Sequence, residues 1–172
     1  MRSMSKVKIT KNVDKSIEIM HSVGFWMQKS GLNPSDWWKP ENMNKKFMLK
    51  HTEPDEYYVT IVDEKPAASM VLQETERNQS WKSVDGEKPK KALYVHWLCV
   101  HRDFAGQGYP KIMIDFAKDE ARKRGFSLLR LDTSADEKKL CSIYEGLGFK
   151  LMGIEDEGEH KTAFYQEKVR AV

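Results

Sequence analysis

Cysteine is scarce in this chain. The 172 residues hold two, Cys99 and Cys141. Two cysteines build neither a disulfide framework nor a cysteine-rich metal site. One falls in an apolar strand pattern and the other in a helical one, so both read as small buried hydrophobes in a reducing compartment. Long apolar runs are missing too. No stretch approaches the roughly 18 residues of a membrane span. The charged start, Met1–Lys8, has no apolar leader core. We therefore expect a cytoplasmic protein. Charge of one sign is also lacking. Lys and Arg total 29 against 26 Asp and Glu, a net of +3. That balance gives no case for nucleic acid. The one basic run, Lys88-Pro89-Lys90-Lys91, is short and reads as a solvated turn. No metal-ligand spacing appears.

What is present suits a soluble globular domain: 40% hydrophobic and 32% charged residues, at a length that favours a single core. Val7–Thr10 alternates like a strand. From Asp14 to Ser30, Ile17, Met20, Gly24 and Met27 recur at helical spacing, with Asn12 or Asp14 as cap and Gly31 and Pro34 as stop. A second helix is predicted around Asp36–Met48. Glu56–Val62 and Ala67–Gln73 read as strands joined by Asp63-Glu64-Lys65-Pro66. The segment from Arg77 to Lys91 is polar and loop-like apart from Trp81. Ala92–Val100 is an apolar strand.

Tyr109–Arg124 is the clearest helix. Ile112, Met113, Phe116, Ala117, Glu120 and Ala121 mark one face, and Asp119–Lys123 and Glu120–Arg124 are spaced as ion pairs. Gly125 ends it. Phe126–Asp132 is a strand. Ser134 with Glu137 spells a capping box for a helix running to about Glu145. Phe149–Ile154 and Lys161–Val169 make two last strands around the acidic turn Glu155–Glu159. The order β-α-α-β-β-β-α-β-α-β-β predicts one α/β domain with a mixed sheet of about seven strands flanked by about four helices.

One junction carries chemistry. Phe104-Ala105-Gly106-Gln107-Gly108-Tyr109-Pro110-Lys111 links a strand to a helix. Glycines let backbone approach a ligand, and a helix start offers N–H groups and a positive dipole end to a phosphate. A turn of this kind can also do no more than close a connection. A dinucleotide loop of the G-x-G-x-x-G type, with Asp132 as its acid, lacks its third glycine, because Lys111 stands there. The G-x-x-x-x-G-K-[ST] loop is absent.

The segment from Ala92 to Phe149 resembles the GNAT superfamily of N-acetyltransferases. "LCVHRDFAGQGYPKIM" is similar to that family's acetyl-CoA segment, [QR]-x-x-G-x-[GA]. "ARKRGFSLLRLDT" is similar to its helix–strand junction, and "LCSIYEGLGFKLMG" to its Y-x-x-x-G-F segment. Ala105 replaces the usual Gln/Arg, Gly108 matches, and Pro110 replaces the last Gly/Ala. Proline fits a first helical turn but removes one N–H donor. Glu137 stands where the family carries Asn.

The resemblance implies transfer of an acetyl group from acetyl-CoA to a small-molecule or peptide amine, in a single domain over 1–172. Residues 1–75 would then supply the acceptor side and 92–149 the cofactor core. Gly106, Gln107, Gly108, Tyr109, Pro110 and Lys111 would hold the pyrophosphate. The backbone of Leu98, Cys99 and Val100 would bind acetyl and pantetheine. Tyr144 would protonate the thiolate; a packed aromatic is the other reading. His96, expected on one face with Tyr94 and Leu98, is a candidate base, and "VHWLCVHR" is similar to the arylalkylamine N-acetyltransferases. Asp132 is the rival base. A core histidine and a capping Asp remain the plain alternatives. His101 reads as a surface residue. Trp26, Trp37, Trp38 and Tyr165 could line an acceptor pocket or belong to the core. A non-catalytic acyl-CoA sensor with a degraded loop is the alternative function, and a nucleotide-binding domain of another fold is a further one.

Overall fold

The structure is a computed structural model that describes residues 6–32, 36–76 and 80–170. Pro34, expected to help stop the first helix, lies outside the described residues. Seven strands are β1 (Val7–Lys11), β2 (Tyr57–Val62), β3 (Lys65–Gln73), β4 (Leu93–Val100), β5 (Leu128–Ser134), β6 (Lys150–Asp156) and β7 (Lys161–Lys168). They form one mixed sheet in the order β1-β2-β3-β4-β5-β7-β6. The described helices are α1 (Val13–Lys29), α2 (Lys45–Met48), α3 (Lys82–Asp85), α4 (Tyr109–Lys123) and α5 (Lys138–Gly146). The expected α/β domain with a seven-stranded mixed sheet is therefore present. Its residues group into two compact units, Met1–Val71 with Trp97–Met113 and Leu72–His96 with Ile114–Val172.

In the first unit, Asn12 caps α1 by accepting a hydrogen bond from the Lys15 N–H at 3.0 Å. Ile17, Met20 and Val23 are buried with Tyr57, Val59 and Ile61 of β2. Gly24 is required by contact: a Cβ there would stand 2.5 Å from the Trp38 carbonyl oxygen. The helix expected over Asp36–Met48 is instead broken into 3-10 turns, Asp36–Trp38 and Pro40–Asn42, followed by α2. Pro40 cannot donate within a helix, and Asn44 restarts one by capping Phe47 at 2.9 Å. Strands β2 and β3 join through Asp63 and Glu64, both left-handed at φ +46° and +70°. This two-residue turn, shorter than the four residues expected, matches the twist of its strands.

In the second unit, α4 ends as expected. Gly125 has φ +78°, and the Phe126 N–H donates back to the Ala121 carbonyl at 2.8 Å. This closes the last turn in a Schellman arrangement. Ile112, expected on the buried face of α4, is 36% exposed. Of the two expected ion pairs Glu120–Arg124 forms at 3.1 Å, whereas Asp119 pairs with Arg122 at 2.8 Å.

The capping box at Ser134 does not form. Ser134 is the last residue of β5, paired with Thr162. The helix begins at Lys138 with no side-chain cap from Glu137. Strand pairing recruits more backbone hydrogen bonds than a cap, and it claims Ser134 first. The polar segment before β4 contains the short α3 and a buried Trp81.

The second unit's charged core was not foreseen. Arg130 of β5 is fully buried. Its guanidinium donates to both Asp85 carboxylate oxygens at 2.7 Å, to Gln166 at 2.8 Å and to the Tyr94 hydroxyl at 3.3 Å. It also lies 4.3 Å above the Trp81 ring.

Candidate active site

Gly106 and Gly108 are both left-handed, at φ +76° and +84°. A Cβ on either would meet nothing within 4 Å, so it is the left-handed backbone and not a close neighbour that calls for glycine here. Its flanks are held. His101 accepts the Asp103 N–H at 3.1 Å, and Phe104 meets the buried Tyr109 ring edge-on at 5.7 Å. His101 thus caps the 3-10 turn Arg102–Phe104 as well as lying near the surface. Tyr109 is the first residue of α4 and Pro110 the second. It remains within the turn whose N–H groups have no intrahelical acceptor. The Lys111 side chain is exposed one residue further on.

Strand β4 is irregular where the chemistry was expected. Trp97 is left-handed at φ +50°. For a bulky residue this conformation costs about 1–3 kcal/mol and is tolerated where the surroundings enforce it. Leu93–Val95 pair with Leu129–Leu131 of β5, and this ladder ends at Val95↔Leu131 among the described residues. Leu98, Cys99 and Val100 follow directly after Trp97. The Cys99 thiol is buried, and burial pushes its pKa up to about 12. It is a packed hydrophobe with no nucleophilic character, as its place in the sequence suggested. Cys141 is half-buried, with its thiol 3.6 Å from the Ser134 carbonyl.

His96 and Tyr94 share a face as expected, their rings stacked at 6.3 Å and 8°. The face of Leu98 does not follow from theirs, because left-handed Trp97 interrupts the alternation. His96 and Asp132 lie in the same unit and interact. Burial raises the Asp132 carboxyl pKa, the His96 imidazole lowers it, and Glu76 raises it further. Burial and the imidazole thus act on this carboxyl in opposite directions.

Tyr144 occupies the last turn of α5 and is 4% exposed. Its ring meets Phe149 at 6.1 Å and Tyr165 at 6.2 Å. The turn after it is tightly constrained. A Cβ on Gly148 would stand 2.9 Å from the Glu167 carboxylate, which Lys118 of α4 holds at 2.9 Å.

The four expected acceptor aromatics separate. Tyr165 is buried and donates its hydroxyl hydrogen bond to Glu145 at 3.2 Å. Burial, with the neighbouring Cys141 and Glu145, pushes its phenol above the usual range. Trp38 packs against the core of the first unit. Trp26 lies 3.8 Å beneath the Arg102 guanidinium. Trp37 alone of the four is counted among the exposed large hydrophobics, at 36%.

The fold points to a class of protein, and similarity to known proteins names it. The chain matches the family model of the Acetyltransferase (GNAT) family over residues 24–149. It belongs to that family. Over 71 residues it is 34% identical to the uncharacterized N-acetyltransferase YesJ of Bacillus subtilis strain 168. That match covers 41% of this chain and 39% of the relative's length. A GNAT-family acetyltransferase from Listeria monocytogenes superposes with a TM-score of 0.71 at 21% identity, over 95% of this chain and 94% of that one. The PaiA N-acetyltransferase of Thermoplasma acidophilum, solved in complex with coenzyme A, superposes at 0.68 and 16% identity, over 95% and 99% of the two chains. These likenesses concern the fold. No described helix is long and apolar enough to cross a membrane.

Proposed function

We propose that this protein transfers an acetyl group from acetyl-CoA to a primary amine by direct attack. The observation that carries the proposal is the pair of left-handed glycines, Gly106 and Gly108, directly before the start of α4. The two glycines place no side chain beside the start of α4, where the first N–H groups of a helix can meet a diphosphate. The complex of PaiA with coenzyme A supports the same reading. Pro110 removes one donor, and a hydrogen bond to a charged group is worth about 1.5–3 kcal/mol. The loop keeps its remaining donors and the nearby Lys111 charge.

Bound acetyl-CoA would supply the acyl group and a thiolate leaving group. The backbone of Leu98, Cys99 and Val100 holds the acetyl and pantetheine portion and polarises the acetyl carbonyl. His96 takes one proton from the acceptor's ammonium so that the neutral amine can attack, with the Asp132 carboxylate favouring the charged imidazole, and the nitrogen's second proton, lost as the amide forms, restores the one that Tyr144 gives up. Tyr144 gives a proton to the departing sulfur.

Free thiol released from acetyl-CoA over a panel of primary amines tests this. Tyr144→Phe should lower kcat about 100-fold, the low end for loss of a general acid. Its affinity for acetyl-CoA should stay within about twofold of the parent protein. Wild-type kcat in that variant would remove Tyr144 from the mechanism. Binding of acetyl-CoA with no thiol release from any amine would favour a sensor instead.

A further inference from the structure

Helix α5 ends in a turn built around Tyr144. Gly148 is left-handed at φ +105°. The Phe149 N–H donates to the Tyr144 carbonyl at 3.1 Å, and the Gly148 N–H to the Glu145 carbonyl at 3.1 Å. These are the two bonds of a Schellman turn, with Tyr144 and Phe149 at the ends of the outer one. The apolar contact that accompanies such a turn is present, since the two rings meet edge-on at 6.1 Å and 75°. The turn therefore governs where the Tyr144 ring stands.

A charged pair grips this turn. The Lys118 ammonium of α4 donates to the Leu147 carbonyl at 3.1 Å and lies 2.9 Å from the Glu167 carboxylate of β7. That carboxylate lies against Gly148, where a Cβ would stand 2.9 Å from it. Helices α4 and α5 and strand β7 thus meet at Leu147 and Gly148. The pair is drawn well out of water, its side chains 15% and 21% exposed.

Stability alone does not ask for this arrangement. A Schellman turn on glycine satisfies its own carbonyls, and a carbonyl left at a helix end can take a water. An ion pair removed from water loses to desolvation much of what it gains by attraction. What the pair supplies is place. It fixes Leu147 and Gly148 against two other elements, and Tyr144 is bound to that turn through backbone and ring. Place matters most for a group that must reach a reacting atom, where an error of about 1 Å can cost on the order of 100-fold in rate.

We propose that Lys118 is a positioning residue for the reaction: its ammonium, paired with Glu167, clamps the turn after α5 and so holds the Tyr144 hydroxyl where the departing sulfur takes its proton. This rests on the acetyltransferase reading above, so one arm of the test does not depend on turnover.

Lys118→Met keeps a long apolar side chain and removes the charge. Thiol release should show kcat about tenfold below wild type, with the KM for acetyl-CoA within about twofold. The loss should run through Tyr144. In the Tyr144→Phe background, adding Lys118→Met should change kcat less than about twofold, because no hydroxyl is left to misplace. Glu167→Gln, close to isosteric, should lower kcat about threefold, and it carries the same cycle if Lys118→Met does not fold. The arm without turnover uses tyrosine labelled with 13C at Cζ. The resonance lost in Tyr144→Phe belongs to Tyr144. It should move or split in Lys118→Met, while that of Tyr57, in the other compact unit, stays in place.

An ion pair that only stabilises the fold would lower Tm and leave kcat per folded molecule unchanged. A kcat within twofold of wild type in Lys118→Met, or an equal loss with and without the Tyr144 hydroxyl, overturns the proposal while the acetyltransferase reading stands. So does a Tyr144 resonance indifferent to the substitution. If that resonance moves and the wild type releases no thiol with any amine, the acetyltransferase reading falls and takes the role of Lys118 in the reaction with it.

Discussion

Removing the Asp85 carboxylate should destabilise this protein more than its place in a polar surface segment suggests. Asp85 holds the buried Arg130 guanidinium through two hydrogen bonds of 2.7 Å, and the two side chains are 4% and 0% exposed. Deleting one partner of a buried ion pair costs about 3–5 kcal/mol, because the other charge is left dry and uncompensated. Gln166, Tyr94 and the Trp81 ring would still contact the guanidinium. The cost of Asp85→Ala should therefore fall near the low end, about 3 kcal/mol. For a domain of this size each kcal/mol moves Tm by about 2–4 °C, so the drop is roughly 6–12 °C.

Urea unfolding at pH 7 measures the loss directly. A double variant, Asp85→Leu with Arg130→Met, removes the stranded charge and should recover most of it. The pH dependence has a definite sign. The Arg130 hydrogen bonds, first among several causes, hold the Asp85 pKa below its ordinary value. The pair's contribution is then fully present above the unfolded carboxyl pKa of about 4 and is lost as pH falls through the folded value. Asp132 acts oppositely. Burial raises its pKa, so its ionised form costs stability at neutral pH and that cost is relieved on acidification. Comparing wild type with Asp85→Asn isolates the first slope. A loss under 1 kcal/mol, or an Asp85→Asn variant with unchanged acid sensitivity, would refute the reasoning.

Two other substitutions probe packing and proton transfer. Gly24→Ala places a methyl against the Trp38 carbonyl, a backbone atom at 2.5 Å with little freedom to yield; it should cost about 1–3 kcal/mol in chemical denaturation. His96→Ala should lower kcat/KM and abolish the limb on which the rate rises with pH, since a base must be deprotonated to act. Asp132→Asn should shift that limb to lower pH, because the carboxylate favours the charged imidazole beside it. A kcat/KM–pH profile unchanged in both variants would remove the pair from the reaction.

The elements legible in the sequence were those fixed by local chemistry. Gly125 after an amphipathic run stops α4 because a left-handed residue closes the turn. The β2–β3 hairpin was visible in its alternation, though Asp63 and Glu64 adopt conformations usually given to Gly and Asn. Ser134 misled because a capping box is a local preference, and the pairing with Thr162 across the sheet is stronger. The helix expected over Asp36–Met48 failed on Pro40 and Asn44, both visible as breakers.

The site was legible unevenly. Short motifs led to the expectation of a glycine turn before α4 and of Tyr144 near the end of a helix, and the structure has left-handed Gly106 and Gly108 and Tyr144 within α5. The left-handed Trp97 has no signature, since nothing in a strand of Val, His, Leu and Cys marks one residue for strain. The Arg130–Asp85 pair joins residues 45 apart. Its only sign was an Arg between Leu129 and Leu131, a position that demands a buried partner without naming it.

The central claim is that the Gly106–Gly108 loop holds the diphosphate of acetyl-CoA. Thermal unfolding with and without acetyl-CoA, with NAD and ATP as controls, tests it most directly. At 100 times its dissociation constant a ligand adds about 2.7 kcal/mol, or roughly 5–10 °C for this chain length. The account predicts that rise with acetyl-CoA alone, and a smaller one in Gly108→Ala, where a side chain meets a left-handed φ of +84°. No shift at millimolar acetyl-CoA, or an equal shift with NAD or ATP, would contradict it.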